Sequence, residues 1–156
     1  MEMLRFCCTV QPIWARILER HRAITGAAYA DDAYLMGKLK EALFALADAI
    51  RSFSNDADLQ IQLIKCKIYM PGVPEDRAHQ LIRTCIESDE SGALRPLLTM
   101  LDPGHDVIQV RGLRVVGAPI GDDNFVHAMS GTNARLYARM LSKCVLCQTR
   151  LFTTTC

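Results

Sequence analysis

Five apolar residues, Leu39, Leu43, Leu46, Ile50 and Phe53, recur at spacings of four, three, four and three. That rhythm keeps one side of an α-helix greasy for four turns. A chain carrying it must fold a helix from about Gly37 to Phe53 and bury that stripe against something else. Upstream, the run from Ala27 to Met36 has two short apolar pieces around a pair of acids, and it reads as a tight β-hairpin. A hairpin running straight into an amphipathic helix makes the expected fold class α+β.

The remaining segments fit the same class. Residues 11–22 read as a helix with Pro12 in its first turn and Ile13, Ile17 and Leu18 on its apolar side. Leu59 to Met70 alternates like a strand, with a change of apolar phase near Lys65 that a turn or bulge would absorb. Pro71-Gly72 stops it, and Pro74 opens a helix with Ala78, Leu81, Ile82, Cys85 and Ile86 on one face. A short helix is expected after Pro96. Val107–Val110 and Leu113–Val116 read as strands around Arg111-Gly112, followed by a glycine-bounded segment, Gly117 to Gly121. Asp122 or Asp123 would cap a last helix running to about Phe152. Residues 153–156 read as a frayed end or the scar of a truncation.

Composition excludes several classes. The 156 residues suit one domain, and half are apolar, enough for a real core. With 18 basic and 17 acidic residues the chain is no uniformly basic binder and no acidic disordered tail. The balance is uneven: both ends lean basic and the centre leans acidic, which suits cations held near a polyanion as well as an ordinary surface. No apolar run approaches the roughly 18 residues of a membrane span, and the first residues do not make a signal peptide. Seven cysteines without a secretion signal read as reduced thiols in an intracellular protein. Cys144 and Cys147 form a lone C-x-x-C, too little for a four-ligand zinc site. The histidines (His21, His79, His105 and His127) share no ligand spacing.

The acids at the hairpin tip carry the most information. A two-residue turn favours Asn-Gly, Asp-Gly or Gly-Gly, because its central residues need positive φ. Here Tyr29-Ala30-Asp31-Asp32 supplies no glycine and sets two like charges side by side. An exposed acidic turn is one reading. The other is a divalent cation: Mg²⁺ takes carboxylate oxygens, and two such ions can clamp the attacking and leaving oxygens of phosphoryl transfer.

The segment Ala28-Tyr29-Ala30-Asp31-Asp32-Ala33-Tyr34-Leu35-Met36-Gly37 closely resembles the Tyr-x-Asp-Asp segment of reverse transcriptases, most of all those of non-LTR retrotransposons. Val10-Gln11-Pro12 and the following helix resemble the end of that family's template-side helix. Leu59–Tyr69, with Lys65-Cys66-Lys67, resembles the next block. Leu113 to Gly121 resembles the primer-grip hairpin. The blocks stand in the family's order over roughly residues 10–125.

The resemblance implies a partial polymerase palm over residues 1–121, a short antiparallel sheet packed on helices, and the start of a helical thumb over 122–156. It implies RNA-directed DNA synthesis, a nucleotidyl transfer, by a parent protein that takes an RNA template, a DNA primer and dNTPs, with Mg²⁺ (or Mn²⁺) as cofactor and no membrane. Asp31 would be the principal metal ligand and Asp32 its neighbour. Tyr29 would place the primer end and incoming nucleotide, and Lys65 would sit near that nucleotide's phosphates. Gly117 would lie against the primer backbone. On a thumb helix, Arg135, Arg139, Lys143 and Arg150 form a basic stripe suited to a phosphate backbone, apart from an apolar stripe of Leu136, Met140, Cys144, Cys147 and Leu151.

The family's site uses a third aspartate on an earlier strand. The acids before Tyr29 are Glu2 and Glu19, with no aspartate. The chain alone is therefore expected to be inactive, a fragment of a reverse-transcriptase domain. The alternative is a non-catalytic retroelement remnant acting at most as a nucleic-acid or protein-binding module.

Overall fold

The computed structural model describes residues 2–29, 32–115, 118–129 and 145–153. Among them the fold is mixed α+β. Helix α1 spans Glu2–Arg20, and strands β1 (Thr25–Tyr29) and β2 (Asp32–Gly37) follow. Helix α2 spans Leu39–Ala57 and ends where Asp58 turns left-handed, its N–H donating back to the Phe53 carbonyl. Next come β3 (Leu59–Ile61), a 3-10 turn over Leu63–Lys65, β4 (Lys67–Tyr69) and helix α3 (Glu75–Glu87). A second 3-10 segment spans Arg95–Leu101. Strands β5 (Ile108–Gln109), β6 (Gly112–Val115) and β7 (Ala118–Gly121), helix α4 (Asp123–Met129) and strand β8 (Val145–Thr153) complete the order.

One sheet runs β1-β2-β8-β4-β5, with β3 also pairing β8. Strands β6 and β7 form a separate hairpin. The last strand in sequence is therefore an inner strand of the sheet. Its Leu146–Gln148 lie between β2 and β4, with Cys147 opposite Leu35 on one side and Ile68 on the other.

Alternation of side chains along β2 sorts the two faces. Ala33 and Leu35 join the main core, with Ile13, Trp14 and Ile17 of α1 and Leu43, Leu46 and Phe53 of α2. Tyr34 and Met36 look the other way, into a small cluster with Tyr69, Leu113 and Ile120. The helices thus cover one face and the β6–β7 hairpin covers the other. Trp14 stacks on Phe53 with ring centroids 6.2 Å apart. The apolar stripe of α2 is wider than its spacing predicts: Ala42, Ala45, Ala47 and Ala49 are buried as well, because α2 packs both on α1 and on the sheet. Small alanines let both neighbours come close.

Several sequence expectations need correction. Pro12 sits inside α1, not in its first turn, because the helix begins ten residues earlier, at Glu2. Of the two devices expected near Lys65, the turn is the one that absorbs the phase change, a 3-10 turn between two strands. The sheet is not purely antiparallel: β4 and β5 pair parallel. A parallel pair needs a long crossover, and α3 with the second 3-10 segment provides it. Lys67 fastens that pair, its Nζ donating to the Asp106 carbonyl and, at 3.0 Å, to its carboxylate. The largest correction is at the C-terminal end. Residues 145–153 form a strand where a helix to Phe152 was expected.

Candidate functional site

Strands β1 and β2 pair antiparallel from Thr25↔Met36 to Tyr29↔Asp32. Asp31 and the side chain of Tyr29 lie outside the described residues. Asp32 is half-buried on β2, and the Tyr34 hydroxyl donates to its Oδ2 at 3.3 Å. Tyr34 is itself only 4% exposed, so its ring is fixed by packing while its hydroxyl reaches along the strand to the carboxylate two residues away.

The β6–β7 hairpin lies on this same face, since Leu113 and Ile120 share a cluster with Tyr34 and Tyr69. Its register pairs Gly112 with Gly121, where the strands approach too closely for a side chain: a Cβ on Gly121 would meet the Arg111 carbonyl and the Gly112 Cα. Tyr69 is held above the usual phenol range, first by burial and then by the negative charge of Asp122. Arg111 offsets that charge from 3.6 Å.

The remaining expected residues are scattered or fall outside. Lys65 stands exposed in the 3-10 turn between β3 and β4. Both of those strands are separated from β2 by β8, so Lys65 and Asp32 do not occupy neighbouring strands. Gly117 lies outside the described residues, between β6 and β7. Arg135, Arg139 and Lys143 also lie outside them, as does Cys144. Arg150 does not belong to a helical basic stripe; it stands in β8, in register with Asp32.

A hard divalent cation suits the kind of donor that two consecutive carboxylates supply. Of the pair, only Asp32 is among the described residues, and no group of three His, Cys, Asp or Glu gathers among them. No helix of the described residues is long and apolar enough to cross a membrane.

A second polar cluster escaped sequence reasoning. Between α1 and α2 lies a groove of about 620 Å³ lined by Arg16, Glu19, Arg20, Asp48, Ser52 and Asp56, among others. Asp48 is buried; Arg20 approaches its Oδ2 at 3.2 Å and His21 Nε2 lies 3.1 Å away. Arg20 also donates to Ser52 Oγ at 3.0 Å. The arrangement joins the end of α1 to α2. The available signal was Asp48 itself, a carboxylate flanked by Ala45 and Ala49 on a helix side that is otherwise apolar.

Neither a family model, nor a curated protein, nor a solved structure matches this chain.

Proposed function

We propose that the chain is part of a reverse-transcriptase palm, whose parent protein carries out RNA-directed DNA synthesis by metal-assisted nucleotidyl transfer. The observation that carries this reading is a juxtaposition. The strand bearing Asp32 and the hairpin resembling a primer grip share one sheet face, joined through Tyr34, Tyr69, Leu113 and Ile120. They are far apart in sequence, and a chain with merely an acidic turn has no need to bring them together.

In this reading Asp31 and Asp32 hold Mg²⁺, which would stabilise charge on the reacting phosphate. Gly117 would lie against the primer backbone, with little side chain in the way. RNA template, DNA primer and dNTPs are the partners of the parent. The chain alone is expected not to polymerise, because two carboxylates hold catalytic metals poorly where the family uses three.

The test has two arms. Mn²⁺ binding to the purified chain, followed by the loss of its electron-paramagnetic signal, is expected and should vanish in Asp31→Asn with Asp32→Asn. Primer extension with Mg²⁺ and dNTPs should yield no product. No Mn²⁺ binding by the wild-type chain would refute the metal site. Template-dependent extension that Asp31→Asn abolishes would refute the inactivity.

The second reading, a non-catalytic binding module, is favoured by the lack of a three-ligand group among the described residues. It predicts binding of an RNA–DNA hybrid that is indifferent to divalent cations and to both aspartates.

A further inference from the structure

Strand β1 (Thr25–Tyr29) closes one edge of the main sheet, and among the described residues β2 is its one paired neighbour. In an antiparallel ladder about half of a strand's N–H and C=O groups turn away from that neighbour. Among the described residues no hydrogen bond reaches the outward groups of Thr25 to Ala28. Thr25, Ala27 and Ala28 are exposed, so the edge is open.

Sheet edges are normally guarded by a lysine, a proline, a bulge or extreme shortness. The opposite edge is guarded by length, since β5 has only two residues. On β1 these guards are missing. Its sequence, Thr-Gly-Ala-Ala-Tyr, holds no charge and no proline, and its register with β2 runs unbroken over five pairs. The strand is also held from behind. A Cβ on Gly26 would lie 2.8 Å from Leu18 Cδ2 and 3.2 Å from the Trp14 ring, so α1 presses on β1 there. A strand already fixed in place loses little freedom when it pairs.

We infer that β1 is a dimerisation edge, pairing antiparallel with β1 of a second copy of this chain across a two-fold axis at Ala27. That register sets Ala27 against Ala27, Gly26 against Ala28 and Thr25 against Tyr29 on both sides of the axis. An identical partner meets any edge charge with the same charge, and like charges directly opposite destabilise the pair. The strand β1 brings none, and its small residues meet small residues. A foreign peptide would be selected by pockets for alternate side chains, and the glycine and alanines of β1 offer little relief for such a choice. An isologous contact of this kind closes at two copies. The inference stands apart from the palm reading, since it uses neither aspartate nor any metal.

Sedimentation equilibrium of the full chain tests it. The wild type is expected to show a monomer–dimer equilibrium. Ala27→Lys and Ala27→Glu should each weaken dimerisation about tenfold or more, because the axis faces each new charge with its own copy. Mixing the two variants should restore the dimer, since opposite charges then meet at the axis. Thr84→Lys, on an exposed position of α3, should leave dimerisation unchanged. A wild type that stays monomeric at every concentration overturns the inference, and so does one that grows beyond two copies. Dimerisation that survives in both Ala27 variants, or that their mixture fails to restore, also overturns it.

If the Ala27 variants fail to fold, amide hydrogen exchange on the wild type reads the same edge. Amides of β1 should gain protection as concentration rises. Protection that does not change with concentration overturns the pairing.

Discussion

Ending the chain after Cys144 removes β8, and the ladder sets the size of the effect. The strand pairs through six residues with β2, three with β3 and three with β4. At about one hydrogen bond per pair, and about 1 kcal/mol net for each, the loss is on the order of 10 kcal/mol. Small domains have roughly 5–15 kcal/mol of stability in all. The damage also spreads beyond the ladder. Without β8 the sheet splits into β1–β2 and β4–β5, each with a newly open edge. Ala33, Leu35 and Ile68, all buried, lie on strands that flank the gap. The truncated chain is therefore expected to lack a cooperative urea transition by far-ultraviolet circular dichroism and to be cut rapidly by trypsin within α2. Cys147→Pro is a milder form of the same perturbation. It removes one inner-strand N–H, leaves an acceptor unpaired, and should cost about 2–4 kcal/mol. A peripheral thumb helix would behave differently, because its removal leaves sheet and core intact. A truncated chain that unfolds cooperatively within about 1 kcal/mol of the full one would refute the inner position of β8.

Phe53→Ala removes a fully buried ring that stacks on Trp14, and should lower the urea-derived stability by about 3–5 kcal/mol. Gly121→Ala places a Cβ 2.6 Å from the Gly112 Cα and against the Arg111 carbonyl, a collision with backbone that no rotamer relieves. It should cost about 1–3 kcal/mol by thermal unfolding and loosen the hairpin. Asp89 accepts hydrogen bonds from Ser91 and from the Leu94 N–H, which hold its carboxyl below the ordinary value of 3.8. A lowered folded pKa means its contribution is present above the ordinary value and is lost as pH falls through the folded one. Asp89→Asn should therefore be less stable than wild type near neutrality, and the two should converge as pH falls through the lowered folded value, in urea titrations repeated across pH.

The helix from Gly37 to Phe53 was legible because a stripe with a 3.6-residue period has one cheap fold. The same held for the helix after Pro74, where proline fixes the start. The run from Leu59 to Met70 was half legible. Alternation revealed strand and its phase change a turn or bulge near Lys65, but which of the two forms, a 3-10 turn over residues 63–65, depends on how β3 and β4 must each reach β8. Asp48 gave a weak signal, and its partners Arg20 and His21 could not be found by spacing, since they come from another helix. The start of the last helix was legible, since Asp122 caps α4 by accepting from the Phe125 N–H, but residues 145–152 were misread because the basic and apolar residues from Arg135 onward divide cleanly on a helical wheel. A wheel tests consistency with a helix and cannot test the competing strand.

By itself the sequence determined the α+β class, the amphipathic helix and the consecutive acids of Asp31 and Asp32. These follow from forces between residues close in the chain: periodic burial, backbone preference and like-charge repulsion. Tertiary structure alone decided that the last strand enters between β2 and β4, that Tyr34 links Asp32 to a hairpin some eighty residues later, and that Asp48 draws Arg20 and His21 across two helices. Each of those pairings is worth forming only once the intervening chain has packed. Its free energy depends on contacts between distant segments, and no local pattern of residues encodes it.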